Sequence, residues 1–163
     1  MDALFLLMSA VAVIVSGLVA GVFLTFSDFV MRALAAERPA CGMAAMQSIN
    51  RKVYGSLFLV LFLMMAALAV GLGGYALTAA PPAVSSWLLA GSVAYLFGVF
   101  VVTLLCNVPM NKVLDGVPGE SPEAARYWVG YLKLWTRWNH VRTLASVIAA
   151  ICFLIAGLMS TQS

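Results

Sequence analysis

An all-α fold, a bundle of four membrane-crossing helices with helical extensions on one side, is predicted by three observations. The chain of 163 residues is 64% hydrophobic and only 9% charged, with a mean hydropathy of +1.04, far from the roughly half apolar and one-quarter charged usage of a soluble domain. Four stretches, 3–26, 54–77, 87–106 and 143–158, approach or exceed the run of about 20 apolar residues that carries a helix across the hydrocarbon core. All nine Lys and Arg residues fall in the segments 27–52 and 107–142. The chain therefore reads as an integral membrane protein, with the lipid bilayer as its first partner. No internal repeat or low-complexity linker divides it, so residues 1–163 form one domain.

The first stretch resembles a signal peptide only in position. It starts with Asp2 in place of a basic segment and its apolar run is too long for an h-region, so it is kept as a span. Within it Gly17 and Gly21 form a G-x-x-x-G pair that allows another backbone to approach closely. The partner is either a helix of the same chain or a second copy, and a homo-oligomer through Gly17 and Gly21 is one of the two readings. Ser27–Ala36 contains no Gly or Pro, so the first helix is predicted to run past the bilayer until Pro39 stops it.

A second helix is predicted from near Cys41, with 43–52 standing outside the bilayer before the span proper. Pro81-Pro82 closes the turn after it, and Ser85 or Ser86 is placed to cap the third helix. In Asn107-Val108-Pro109-Met110-Asn111 the proline removes an amide donor and pushes Val108 from helical geometry, which predicts a kink or break. Ser121-Pro122-Glu123 is a helix start: a hydroxyl cap, a proline where its missing N–H costs nothing, and an acid at the positive dipole end. No proline follows, and Gly130 is the one glycine before Gly157, which predicts one long helix whose second half is the last span.

Four spans put both basic segments on one face, and the positive-inside rule makes that face cytoplasmic, with both termini outside. The net charge of +3 and pI of 8.9 then follow from topology and imply no nucleic-acid partner. Cys41, Cys106 and Cys152 make no C-x-x-C pair, which reads as free thiols and argues against thiol–disulfide exchange.

The residues able to carry chemistry gather where the spans meet the basic face. Trp128, Leu132, Trp135, Asn139 and Arg142 follow at steps of four, three, four and three and share one helical face, flanked by Tyr131 and Trp138. Aromatics alternating with an amide and a guanidinium suit a flat, polar-edged ligand. Taken singly, Trp128, Tyr131, Lys133 and Arg137 read first as interface anchors. By span parity Gln47, Asn50, Arg51, Asn107 and Asn111 reach the same level, and Asp28 is placed to pair with Arg32 or Arg51. Polar groups at membrane depth are costly and find partners or function, so the bundle mouth is the default binding site. His140 is the one histidine, the side-chain type whose chemistry suits proton transfer near neutral pH. A single imidazole without clustered carboxylates or paired thiols makes no zinc, haem or di-iron site: no metal and no cofactor is expected.

The G-x-x-x-G pair followed by Phe-Ser-Asp-Phe-Val-Met-Arg-Ala-Leu, then Ala-Met-Gln-Ser-Ile-Asn-Arg, Asn-Val-Pro-Met-Asn-Lys-Val-Leu and Trp-x-x-Trp-Asn-His-Val-Arg resembles the anthrone oxygenase-like family over nearly the whole chain. That family comprises small four-span membrane proteins, mostly bacterial, which places this one in a bacterial inner membrane. The resemblance implies motif residues gathered near one membrane face, here Gln47, Asn50, Arg51, Asn107, Asn111, Trp135, Asn139 and Arg142. It also implies O2-dependent oxidation of a flat aromatic or phenolic lipophile, as in the fungal members that turn an anthrone into an anthraquinone without metal or flavin. On this reading His140 is the base, Arg142 or Arg51 stabilises the oxyanion with Asn139 and Asn107, and Trp135 and Trp138 stack on the rings. The alternatives are a membrane protein that binds or passes a small lipophile without chemistry, and a structural or assembly role.

Overall fold

Four helices long and apolar enough to cross a membrane account for most of the chain: α1 (Ala3–Ala36), α3 (Leu57–Thr78), α4 (Pro82–Asp115) and α5 (Pro122–Ser160). A shorter helix, α2 (Pro39–Lys52), lies between the first two. The structure is a computed structural model describing residues 3–118 and 121–161, and no strand occurs among them. α1 packs along α5, α5 along α4, α4 along α3, and α3 returns to α1. The core of this ring holds Phe5, Val19, Phe62, Leu72, Tyr95 and Phe153. Its outer surface is equally apolar, with Leu4, Ile14, Leu63, Leu105 and Leu144 exposed, as expected of helices that face lipid on one side and each other on the other.

α1 extends past the apolar run to Ala36, as the absence of breakers predicts, but residues Phe26–Val30 form a π-helical turn inside it. Gly17 and Gly21 are exposed, and a Cβ on either would meet nothing within 4 Å. The close same-chain partner is therefore absent among the described residues, and this face of α1 points outward.

The second helix is not continuous with the second span. Val53–Gly55 forms a 3-10 turn, Ser56 is extended, and its Oγ accepts from the Leu59 amide at 3.3 Å. A capped helix thus begins anew at Leu57, which frees α2 to lie across the charged end. There Met43 and Met46 join Met31, Leu114, Trp128 and Tyr131 in a second, smaller core. Gly42 makes this approach possible, since a Cβ would stand 2.5 Å from the Leu34 carbonyl oxygen and 3.0 Å from the Trp128 ring. Gln47 Nε2 donates to the Leu114 and Val117 carbonyls at 2.8 and 3.3 Å and ties α2 to the end of α4.

Two expectations about α4 are corrected. Ser85 and Ser86 do not cap it, because the helix starts at Pro82; the Ser85 hydroxyl donates instead to the Ala76 carbonyl at 2.8 Å, closing the turn from α3. Pro109 does not break the helix, which runs on to Asp115. The residues before it, Ala94–Val101 and Thr103–Asn107, are π-helical, and the regular α ladder restarts at Val108 with the proline in its first turn, where no amide donor is required. α5 begins as predicted, with Ser121 Oγ accepting from the Ala124 amide at 3.0 Å, and runs unbroken through Gly157 to Ser160. The thiols of Cys41, Cys106 and Cys152 are free. Asp28 pairs with Arg32 at 3.0 Å, while Arg51 pairs with Asp115.

Candidate functional site

Because α5 is regular, Trp128, Tyr131, Trp135, Asn139 and Arg142 form one buried stripe down it. Trp128 stacks on Tyr131 with ring centroids 5.5 Å apart, and Tyr131 on Trp135 at 6.3 Å. Trp128 and Tyr131 are core residues, not interface anchors, since the end of α1, α2 and the end of α4 fold over this extension and cover it. Lys133 and Arg137 remain exposed. Asn111 Oδ1 accepts from the Tyr131 hydroxyl at 2.8 Å and from Trp135 Nε1 at 2.9 Å, so one amide of α4 orients two aromatics of α5.

The stripe ends at a cavity of about 620 Å³ enclosed by α1, α2 and α3 with Thr103, Asn111, Trp135 and Arg142. That volume falls among the roughly 300–1,000 Å³ typical of small-molecule sites. Phe23, Phe26, Phe58 and Phe62 form much of its wall, and Ser48 and Lys52 lie at its exposed side. Arg142 reaches its inner surface only 5% exposed. The guanidinium lies 4.3 Å from the centre of the Phe23 ring and 5.1 Å from that of Trp135. One nitrogen donates to Asn139 Oδ1 at 2.6 Å and another to Thr103 Oγ1 at 3.4 Å.

Asn139, fully buried, fixes this geometry. Its Nδ2 donates to the Phe23 carbonyl and to Ser27 Oγ, both at 2.6 Å. These acceptors flank the start of the π-helical turn of α1, so the irregular backbone of one helix holds the amide that holds the guanidinium of another. No carboxylate among the described residues compensates the charge. The ion pairs among the described residues are Asp28–Arg32, Asp115–Arg51 and Glu123–Arg126. Arg142 Nε is a buried donor without a hydrogen-bond partner, and Arg142 and Asn50 both line the cavity. A buried cation normally has a counter-charge; here the residue that carries the charge lines an aromatic chamber with no carboxylate among its described lining residues.

The other residues singled out by sequence lie elsewhere. Asn107 is buried behind the cavity and donates to the Trp135 carbonyl at 3.3 Å. Gln47 and Arg51 tie α2 to α4 and its C-terminal turn, and Trp138 is half-buried away from the cavity. His140 is exposed in a separate groove between α1 and α5. One helical step turns it about 100° from Asn139, away from the cavity. Sequence reasoning missed Phe23, Phe26, Phe58 and Phe62, whose spacings of three and four were available as a signal, and Thr103, one turn before Asn107. Ser27 as anchor for Asn139 had no sequence signal. No group of three His, Cys, Asp or Glu side chains suited to a metal ion occurs among the described residues.

Fold and site together define a small helical membrane protein with an aromatic chamber at one end and a cation inside it. The family model described as anthrone oxygenase matches residues 43–152, more than half of the chain, and the protein belongs to that family. No curated protein and no solved structure matches it.

Proposed function

We propose that the cavity binds a flat phenolic or enolisable aromatic lipophile as its anion and promotes oxidation of that anion by O2, with no cofactor. The observation that carries this reading is the buried Arg142, uncompensated by any carboxylate among the described residues and lining the cavity together with Asn50. A ligand oxyanion supplies the missing counter-charge. In an enclosure of low dielectric such an interaction is far stronger than in water, and it favours the ionised form of the ligand over the neutral one. The Phe walls and Trp135 cover the rings.

For an anthrone the steps balance without a redox group on the protein. The methylene carbon loses a proton, which leaves by the exposed side of the cavity near Lys52 and Ser48. The electron-rich anion passes one electron to O2, and the radical pair closes a C–O bond to give a hydroperoxide after one protonation. Breaking O–O with loss of the remaining C–H hydrogen yields the ketone, so one anthrone and one O2 become one anthraquinone and one water. Arg142 with Asn50 stabilises the oxyanion, Asn139 positions Arg142, and Trp135 and Phe26 hold the ring plane. His140, turned away from the cavity, has no part in these steps.

The test is O2 uptake by the purified protein on addition of a simple anthrone, beside the spontaneous rate and an Arg142→Met variant. Uptake well above the spontaneous rate in the wild type and absent in the variant supports the reading. Saturable quenching of tryptophan fluorescence without uptake makes the protein a lipophile binder and not an oxygenase.

A further inference from the structure

The groove that holds His140 is the second concave feature at the charged end, with a volume of about 420 Å³. α1 contributes Ser27, Met31, Arg32 and Ala35, and α5 contributes Val129, Leu132, Lys133, Thr136, Arg137 and His140. Three basic side chains from two helices therefore converge on one depression. The acid that faces them is Asp28, engaged with Arg32; Lys133 and Arg137 have no carboxylate partner among the described residues. Ser27 accepts from Asn139, which leaves its own O–H to be donated.

The walls give the ligand its second property. Met31, Ala35, Val129 and Leu132 are apolar, and the helical face that carries Lys133, Thr136, Arg137 and His140 continues through Leu144, Val147 and Ile151, exposed by 62%, 40% and 49%. Polar donors thus sit directly above an apolar strip at the level where the last span begins. A soluble anion uses only the donors; an amphiphile with a phosphate head and acyl chains uses both. From this arrangement we propose that the groove is a binding site for the headgroup phosphate of an anionic phospholipid. Arg32, Lys133 and Arg137 hold the phosphate, Ser27 and Thr136 donate to it, and the acyl chains lie along Leu144, Val147 and Ile151. Through Ser27 and Asn139 the groove is two hydrogen bonds from Arg142, so the lipid and the cavity share a structural support.

The experiment is native mass spectrometry of the full-length protein in neutral detergent, titrated with phosphatidylglycerol, with phosphatidylcholine, or with phosphatidylglycerol in the presence of inorganic phosphate. The expected result is selective, saturable retention of phosphatidylglycerol that inorganic phosphate does not displace. A Lys133→Gln/Arg137→Gln variant should bind it about 25-fold more weakly, at about fivefold for each basic charge near a lipid surface. The control Arg38→Gln/Lys112→Gln removes two exposed basic residues outside the groove and should leave the affinity unchanged. Equal losses in the two double variants would mean a diffuse basic surface and overturn the site. Equal retention of phosphatidylcholine, or displacement by inorganic phosphate, would overturn the ligand.

Discussion

Removing Asn139 should cost far more stability than removing Arg142 although the two residues touch. Asn139→Leu deletes two hydrogen bonds to α1, each worth about 1 kcal/mol, and the charge-assisted bond from Arg142, worth about 1.5–3 kcal/mol. It also leaves the guanidinium buried without its acceptor, so the expected cost is about 4 kcal/mol. Arg142→Met loses the same charge-assisted bond and about 1–2 kcal/mol of contact with the Phe23 and Trp135 rings. It also removes a desolvated charge that has no counter-ion, a gain of several kcal/mol, so the net change should lie within about 1.5 kcal/mol of zero. The double variant should then be more stable than Asn139→Leu alone by about 2 kcal/mol, a coupling outside the range of independent sites. Reversible unfolding in mixed SDS–detergent micelles, followed by helical circular dichroism, measures all three. Arg142→Met costing as much as Asn139→Leu, or a double variant less stable than the single, would mean that the guanidinium is structural and would remove the reason for assigning it to a ligand.

Other substitutions separate support from chemistry. Asn111→Ala leaves the Tyr131 hydroxyl and Trp135 Nε1 without their shared acceptor and should cost about 2–4 kcal/mol in the same unfolding assay, with weaker ligand quenching of tryptophan fluorescence. Gly98→Ala would place a Cβ 2.5 Å from that of Ala145, forcing α4 from α5 at about 1–3 kcal/mol, whereas Gly17→Ala should change monomer stability by less than about 0.5 kcal/mol. Arg51→Gln breaks an exposed pair with Asp115 and should cost at most about 1 kcal/mol. In the O2-uptake assay Arg142→Met should lower the rate by about 100-fold or more, the scale of losing an oxyanion donor, and His140→Gln by less than about twofold, because a proton-transfer residue would cost at least about 100-fold.

The spans were legible because lipid demands a long apolar run whatever the packing, and the start of α5 because Ser121, Pro122 and Glu123 each act locally. The break at 53–56 was hidden because Val53 and Tyr54 read as the apolar start of the span, and only the extended backbone of Ser56 ends the previous helix. Pro109 misled for a related reason, since the π-helical turns before it put the proline in the first turn of the regular α ladder. The buried stripe of α5 followed from spacing, although Tyr131, placed at its flank, lies inside it. His140 drew attention through its pKa, a property of the side chain alone. Its exposure was decided by Asn139, which turns inward to meet Phe23 and Ser27 more than a hundred residues earlier in the chain.

The measurement that bears most directly on the uncompensated Arg142 is the absorption spectrum of an anthrone bound to the protein under anaerobic conditions, at a pH where the free compound is neutral. The account predicts the longer-wavelength band of the ionised anthrone in the wild type and its absence in Arg142→Met. Saturable binding with the spectrum of the neutral ligand in both proteins would contradict it.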